Sequence, residues 1–400
     1  MTSPPGTIRY TCAMHRARDR QVRRPASAPP RTAARSLRAS IVAIAAAATL
    51  AGCSGTRHLQ PDLVIVTVGA FPVESLACFG GGGDAELGAE LCSVGELGSR
   101  FVWAFSTSGS PAPAMATILT GLSPDAHGVE ATAASFLRND HLTLAEHFSR
   151  AGYTTAAFVT DPALNRSRHF DQGFGLFDDG FVAAEVNTPP GAHREAAARA
   201  AQWLSAAPSP FLAWVHIDPG IDADADAADA LRQLDRTLSR LLAVLDARTA
   251  PPAILVTGLP AESAREGLTP ARTRVALLWR PPRIGGGQGV TRVIRTPVSQ
   301  LDVAPTLLRA TGLVDAATHL PGRPLPFRER RAGEAGRTLE IRGFGQRALI
   351  GEGVYLVVGE DGSAMGVAQL PLAGERAPAL GRAEGAEELA SRLWAAPEEP

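Results

Sequence analysis

His216 closes an apolar run, Phe211–Ile217 (FLAWVHI), and Asp218 follows it one residue later. A histidine and a carboxylate at the C-terminal edge of a sheet stand where ligands and acid–base groups gather, although a buried structural histidine fits the same spot. Asp222, Asp224 and Asp226 alternate in a way that invites a calcium loop. That loop needs Gly at its sixth position and Glu at its twelfth, and here those are Ala227 and Gln233. A solvated helix start is the better description, because carboxylates favour a helix N-terminus. Gly80–Gly83 lacks the Gly-Lys-Ser/Thr continuation of a phosphate loop and reads as a turn. All 39 basic residues are arginine, which excludes Schiff-base lysine chemistry, a P-loop lysine and a lysine general base.

Cysteine chemistry divides the chain. Residues 1–40 are rich in Arg, Pro, Ser and Ala, and Ile41–Leu50 is a short apolar run. It is about half the ~20 residues needed to cross a bilayer. A positive flank, a short apolar segment and small residues at its end describe an export signal. Leu50-Ala51-Gly52-Cys53 resembles the bacterial lipobox. That resemblance implies a leader over 1–52 with its start at Met1 or Met14, lipid on Cys53, and a linker over 53–60. Location on the periplasmic or cell-surface face of a membrane would follow, and an envelope ligand or protein would be the partner. Cys78 and Cys92 remain, and an oxidising compartment allows either a disulfide or two buried thiols.

The leader holds nine Arg against one acid, leaving 30 Arg against 39 acidic residues in the remainder, a net −9. Such a body is a poor partner for nucleic acid, whose phosphates need a basic face.

Five apolar runs are placed to carry these residues: 61–70, 153–159, 211–217, 252–258 and 274–280. The first, PDLVIVTVGA, is continuous and β-branched, as in a strand buried on both faces. Between the runs lie helical stretches, the clearest at 230–247 with Leu231, Leu234, Leu238, Leu241, Leu242 and Leu245 on one stripe. Alternating strands and helices predict an α/β domain over 61–328 with a mostly parallel sheet sandwiched by helices. From 337 to 400 the pattern changes to short strands with tight turns and a last helix near 386–394. This predicts a small antiparallel α+β subdomain, too small to bury a core alone and therefore packed on the main domain.

The order of segments is similar to the sulfatase family of the alkaline phosphatase superfamily. Leu76-Ala77-Cys78-Phe79-Gly80 resembles that family's turn after the first strand. The segments 118–129 (ILTGLSPDAHGV), 152–159 (GYTTAAFV), 170–174 (FDQGF), 214–219 (WVHIDP) and 298–308 (VSQLDVAPTLL) resemble its scaffold motifs in order. The resemblance implies ester cleavage in which carboxylates hold a divalent cation, such as Ca or Mg, beside a Ser, Thr or formylglycine nucleophile.

The positions that would carry this chemistry are replaced. The first strand ends in Gly69-Ala70 in place of Asp. The nucleophile position, ten residues before Gly121, is Pro111, and the family's Pro two residues later is retained as Pro113. The Arg or His four residues after the nucleophile is Met115. The second pair of metal ligands is Leu259-Pro260, and the His after Asp-Pro is Gly220. The expectation is no catalytic residue, no metal and no cofactor, with His216 and Asp218 as remnants of the pocket. That pocket is expected as an uncharged cleft bounded by Gly69, Ala70, Pro111, Met115, His216, Leu259 and Pro260. His127, inside a scaffold motif, is expected to be structural. The predicted function is an inactive, envelope-anchored pseudo-sulfatase that binds or scaffolds. The alternative is a metal-dependent sulfuric or phosphoric ester hydrolase with a rebuilt site, using Ser108 or Ser110.

Overall fold

The computed structural model describes residues 60–80, 87–132, 134–180, 192–218, 227–260, 267–283, 290–329, 336–351, 353–371, 376–382 and 386–395. The leader, Cys53, Gly81–Gly83, Gly220, the Asp222–Asp226 segment and the charged residues Arg330-Arg331 lie outside them.

The apolar runs form the strands predicted for them. In chain order these are β1 (Leu63–Val68), β2 (Ser99–Phe101), β3 (Ala104–Phe105), β4 (Thr154–Phe158), β5 (Leu176–Asp178), β6 (Phe211–Ile217), β7 (Ala253–Gly258), β8 (Leu277–Arg280), β9 (Arg292–Ile294) and β10 (Val298–Ser299). Eight of them make one sheet in the order β5-β4-β6-β1-β7-β8-β2-β9. Only β8 runs against its neighbours, β7 and β2. The parallel centre therefore consists of the strands richest in Val, Ile and Leu, as burial on both faces requires.

The period of two along β1 assigns the two faces. Leu63 and Ile65 join one core cluster, and Val64, Val66 and Val68 join the other. The first face is covered by α2 (Pro111–Thr120), α3 (Leu144–Arg150) and α6 (Val303–Ala310). The second is covered by α1 (Ala89–Glu96), α4 (Ala192–Ala206) and α5 (Ala227–Asp246). The leucine stripe of α5 is buried from Leu231 through Leu245. Val64, Ala157, Ala213, Leu255 and Leu277 are all buried on strands. Each buried Val or Leu among them contributes roughly 1.5–3 kcal/mol relative to exposure, and each Ala about 0.8 kcal/mol.

Cys78 and Cys92 form a disulfide, with Cα atoms 5.7 Å apart. It ties the 3₁₀ turn at Ala77–Phe79 to α1. Asp235, on α5, accepts the Gly88 N–H at 2.7 Å and the Ala89 and Glu90 N–H groups at 3.2 Å. It satisfies the donors that the start of α1 leaves open.

The C-terminal part is a four-stranded antiparallel sheet, β11 (Leu339–Gly343), β12 (Gln346–Gly351), β13 (Val354–Gly359) and β14 (Ala364–Gln369), with α7 (Glu387–Ala395). One face packs Ile341, Ile350, Tyr355 and Val357 against Val102, Trp103, Phe105 and Leu268 of the main domain. The other face packs Leu349, Leu356 and Val358 with Ala390 and Leu393 of α7. The small sheet thus shares its core with the large domain, as its size demands.

Candidate functional site

Three central strands end side by side. Thr67 of β1 is in register with His216 of β6 and with Thr257 of β7. All three are fully buried. Trp214 Nε1–H donates to Thr67 Oγ1 at 2.8 Å, and Thr67 Oγ1 lies 2.9 Å from His216 Nδ1. An indole N–H can only donate, and the Thr67 hydroxyl, with two lone pairs and one hydrogen, is left able to donate to Nδ1 or to accept from it. The second ring nitrogen of His216 is Nε2. That nitrogen faces Asp161 Oδ2 at 3.9 Å, too far for a hydrogen bond, and has no hydrogen-bond partner among the described residues. Burial lowers the His216 pKa, against the opposing pull of Asp161 and Asp218. On β7, Gln300 Nε2–H donates to Thr257 Oγ1 at 2.9 Å and to the Gly258 carbonyl at 2.7 Å. The row is a neutral, hydrogen-bonded layer that closes the end of the core.

One residue further on lie the positions where the resemblance implies charge. The Gly69 N–H donates to the Ile217 carbonyl at 2.9 Å, and Leu259 N–H to Val68 O at 2.8 Å, so the ladder continues. A Cβ built on Gly69 would lie 2.7 Å from Asp218 Oδ1. The carboxylate of Asp218 fills the space into which a side chain at position 69 would project. Leu259 is 3% exposed, Met115 is fully buried, and both belong to the core cluster that also contains Val159, Leu164 and Val275.

The loop 106–110 leads into α2. Pro111 takes the first helical position, where its missing N–H is no loss. Ser110 holds the N-cap position in extended backbone, is 5% exposed, and makes no capping bond with its side chain. The loop is braced from the C-terminal sheet. Arg342 N–H donates to the Thr107 carbonyl and the Arg342 carbonyl accepts from Gly109 N–H, each at 3.1 Å. Phe344 packs on Gly109, where an added Cβ would come within 2.5 Å of its ring. The Arg342 guanidinium pairs with Asp125 at 2.8 Å.

A divalent cation does not fit this donor set. Leu259, Gly69 and Met115 offer no oxygen, and hard cations need several. Among the described residues no three of His, Cys, Asp and Glu come together as a metal group. The cleft expected from the sequence differs as well: Met115, His216, Leu259 and Pro260 are buried in the core, while Pro111, Ala70 and Asp218 are partly exposed. Met115 and Leu259 are apolar and join the core cluster, where burial is favoured.

His127 is structural, as expected. Its Nδ1 accepts the Val129 N–H at 3.0 Å, which leaves Nε2 protonated and 3.1 Å from Thr117 Oγ1. Burial, with His141 nearby, lowers its pKa to about 4. Thr67 and Asp161 were not singled out by the sequence. A lone threonine in LVIVTV was the available signal for the first, whereas Asp161 reads as the start of the Pro162–Leu164 turn and does cap it, accepting Ala163 N–H at 2.7 Å.

Residues 61–220 match the sulfatase family model. No curated protein matches the chain. Solved structures share its fold. A Bacteroides thetaiotaomicron protein described as a sulfatase is 13% identical with a TM-score of 0.65, covering 84% of this chain and 90% of its own. The phosphonate monoester hydrolase of Agrobacterium radiobacter is 18% identical with a TM-score of 0.61, covering 84% and 94%. An alkaline phosphatase superfamily protein from Vibrio parahaemolyticus is 14% identical with a TM-score of 0.59, covering 84% and 89%. At these identities the likeness is one of fold, and residues 61–220 within that fold are similar to the sulfatase family.

Proposed function

We propose that this sulfatase-fold protein no longer cleaves esters and serves as a binding or scaffolding module at the cell envelope, held to the membrane by a lipid on Cys53. The observation that carries the reading is the burial of Met115 and Leu259 in one apolar cluster, at the positions of the anion-steadying cation and a metal ligand. An apolar wall cannot stabilise charge developing on ester oxygens, and loss of a nucleophile alone can reduce a rate on the order of 10⁶-fold. Asp218 over Gly69 supports it further, because its carboxylate crowds the space that a carboxylate side chain at position 69 would need. The test is metal content of the purified chain after equilibration with Ca and Mg. Less than a tenth of an equivalent supports the reading, and one equivalent held through dialysis refutes it.

The second reading, a rebuilt hydrolase, draws on Ser110, whose hydroxyl stands uncapped at the head of α2. It requires that Ser110→Ala abolish a measurable turnover.

A further inference from the structure

A cavity of about 400 Å³ lies between the segment 296–302, the segment 323–328 and the C-terminal sheet. None of its lining residues belongs to the loop 106–110. That loop meets the hairpin of β11 and β12 at Arg342 and Phe344, whereas the cavity touches the hairpin's other end at Ile350 and Gly351. Ile350 pairs with Leu339, four residues back from Gly343 along β11, a separation of roughly 13 Å at about 3.3 Å per residue.

Three arginines line it, Arg323, Arg328 and Arg337, against one carboxylate, Asp302. Asp302 is 1% exposed and fully committed inward. Its Oδ2 accepts the Ser299 N–H at 3.0 Å, its Oδ1 accepts the Arg323 N–H at 2.9 Å, and it pairs with the Arg337 guanidinium. This arrangement fixes Arg337 in place, so its planar fork is pre-organised at the cavity wall. The guanidinium of Arg323 has no ion-pair partner among the described residues and is exposed. The lining therefore carries net positive charge around a volume of the size small ligands occupy. The remaining wall is apolar and stiff, with Pro324 and the ring of Phe327, which is 42% exposed.

We infer that this cavity binds a small organic anion, with a carboxylate or phosphate-type head on the arginines and a flat apolar body against Phe327 and Pro324. Arginine forks match both head groups bidentately, and an exposed aromatic ring beside them supplies the contact for the body. The site is independent of the lost ester-cleaving centre and stands or falls separately from it.

The test is calorimetric titration of the full chain with benzoate, phenylphosphonate, benzamide and inorganic phosphate. Benzoate or phenylphosphonate should bind at least tenfold more tightly than neutral benzamide and than inorganic phosphate. The tighter of the two identifies the head group, and either ranking supports the site. Arg323→Gln with Arg328→Gln should weaken the bound anion at least tenfold while the melting temperature stays unchanged. Phe327→Ala should bring phenylphosphonate down to the level of inorganic phosphate. No binding of either aromatic anion, equal binding of benzamide, or full affinity in the double variant would overturn the inference.

Discussion

Asp218 Oδ1 lies 2.7 Å from where a Cβ on Gly69 would be, and the Asp218 Cα is only 3.2 Å from the same point. The end of β1 and the end of β6 are therefore packed so that a side chain at position 69 must displace the Asp218 carboxylate and press on its backbone. Gly69→Ala should cost about 1–3 kcal/mol by overpacking, and Gly69→Asp, the substitution that restores the family's carboxylate, more. Thermal melts check this. Adding Asp218→Gly should recover part of the loss, since the closest clash is with a side-chain oxygen. Full stability of Gly69→Asp alone would show that the space is there.

The buried row makes a second prediction. Thr67 Oγ1 accepts from Trp214 and is hydrogen-bonded to His216 Nδ1. Thr67→Val keeps the shape but removes the hydroxyl, leaving the Trp214 N–H and His216 Nδ1 unpaired in the core. Each unsatisfied buried group costs about 1–3 kcal/mol. Urea unfolding should show a loss of that size. A neutral result would mean that the row is not closed.

Acid should weaken the fold through histidine. The folded pKa of His127 is lowered to about 4 from 6.5. Between those values the unfolded chain binds the proton and the folded one does not, so stability rises with pH across that window. Full protonation costs roughly 3 kcal/mol at about 1.4 kcal/mol per pKa unit. The contribution is fully present above pH 6.5 and is lost as pH falls to 4. His147, His193 and His216 are shifted the same way, each first by burial, and add to the slope. Urea melts at pH 4 and pH 7 should show a smaller difference for His127→Gln than for the parent. An equal difference would contradict the assignment.

The Cys78–Cys92 bridge closes a loop with a sequence separation of 14. Loop-closure entropy predicts that Cys78→Ser with Cys92→Ser costs about 3 kcal/mol. Thiol titration of the unfolded parent without reductant should find neither sulfur free, and the double variant should melt lower. Reactive thiols at both positions would mean that the bridge does not form.

Much of this architecture was legible because the central strands are continuous apolar runs and α5 carries an unbroken leucine stripe. Strands β2, β5 and β9 were not, since three residues carry no measurable period. β14 escaped for another reason: its residues Ala364, Met365 and Gly366 have no alternation to read. The family's motif positions singled out Pro111, and the retained Pro113 set that register, but that Pro111 opens α2 was not read from the sequence. The fit of Asp218 over Gly69 was not legible, because it joins residues far apart in the chain through a backbone approach that no spacing encodes. The same holds for the row of Thr67, His216 and Thr257, which exists only once the strand registers are known. The expected cleft failed where the replaced residues were apolar enough to enter the core.

Anchoring by Cys53 is tested by growth with labelled palmitate. The parent chain should carry label and a shortened N-terminus, and Cys53→Ala should carry neither. Label retained in Cys53→Ala would contradict a lipid at that residue.

Turnover of 4-nitrophenyl sulfate and 4-nitrophenyl phosphate by the purified full chain, with Ca or Mg supplied, tests the proposed loss of hydrolysis most directly. The buried Met115 and Leu259 and the proline at position 111 predict release of nitrophenol no faster than in buffer, unchanged by Ser110→Ala. Metal-dependent turnover abolished by Ser110→Ala would contradict it and place a working nucleophile one residue before the helix.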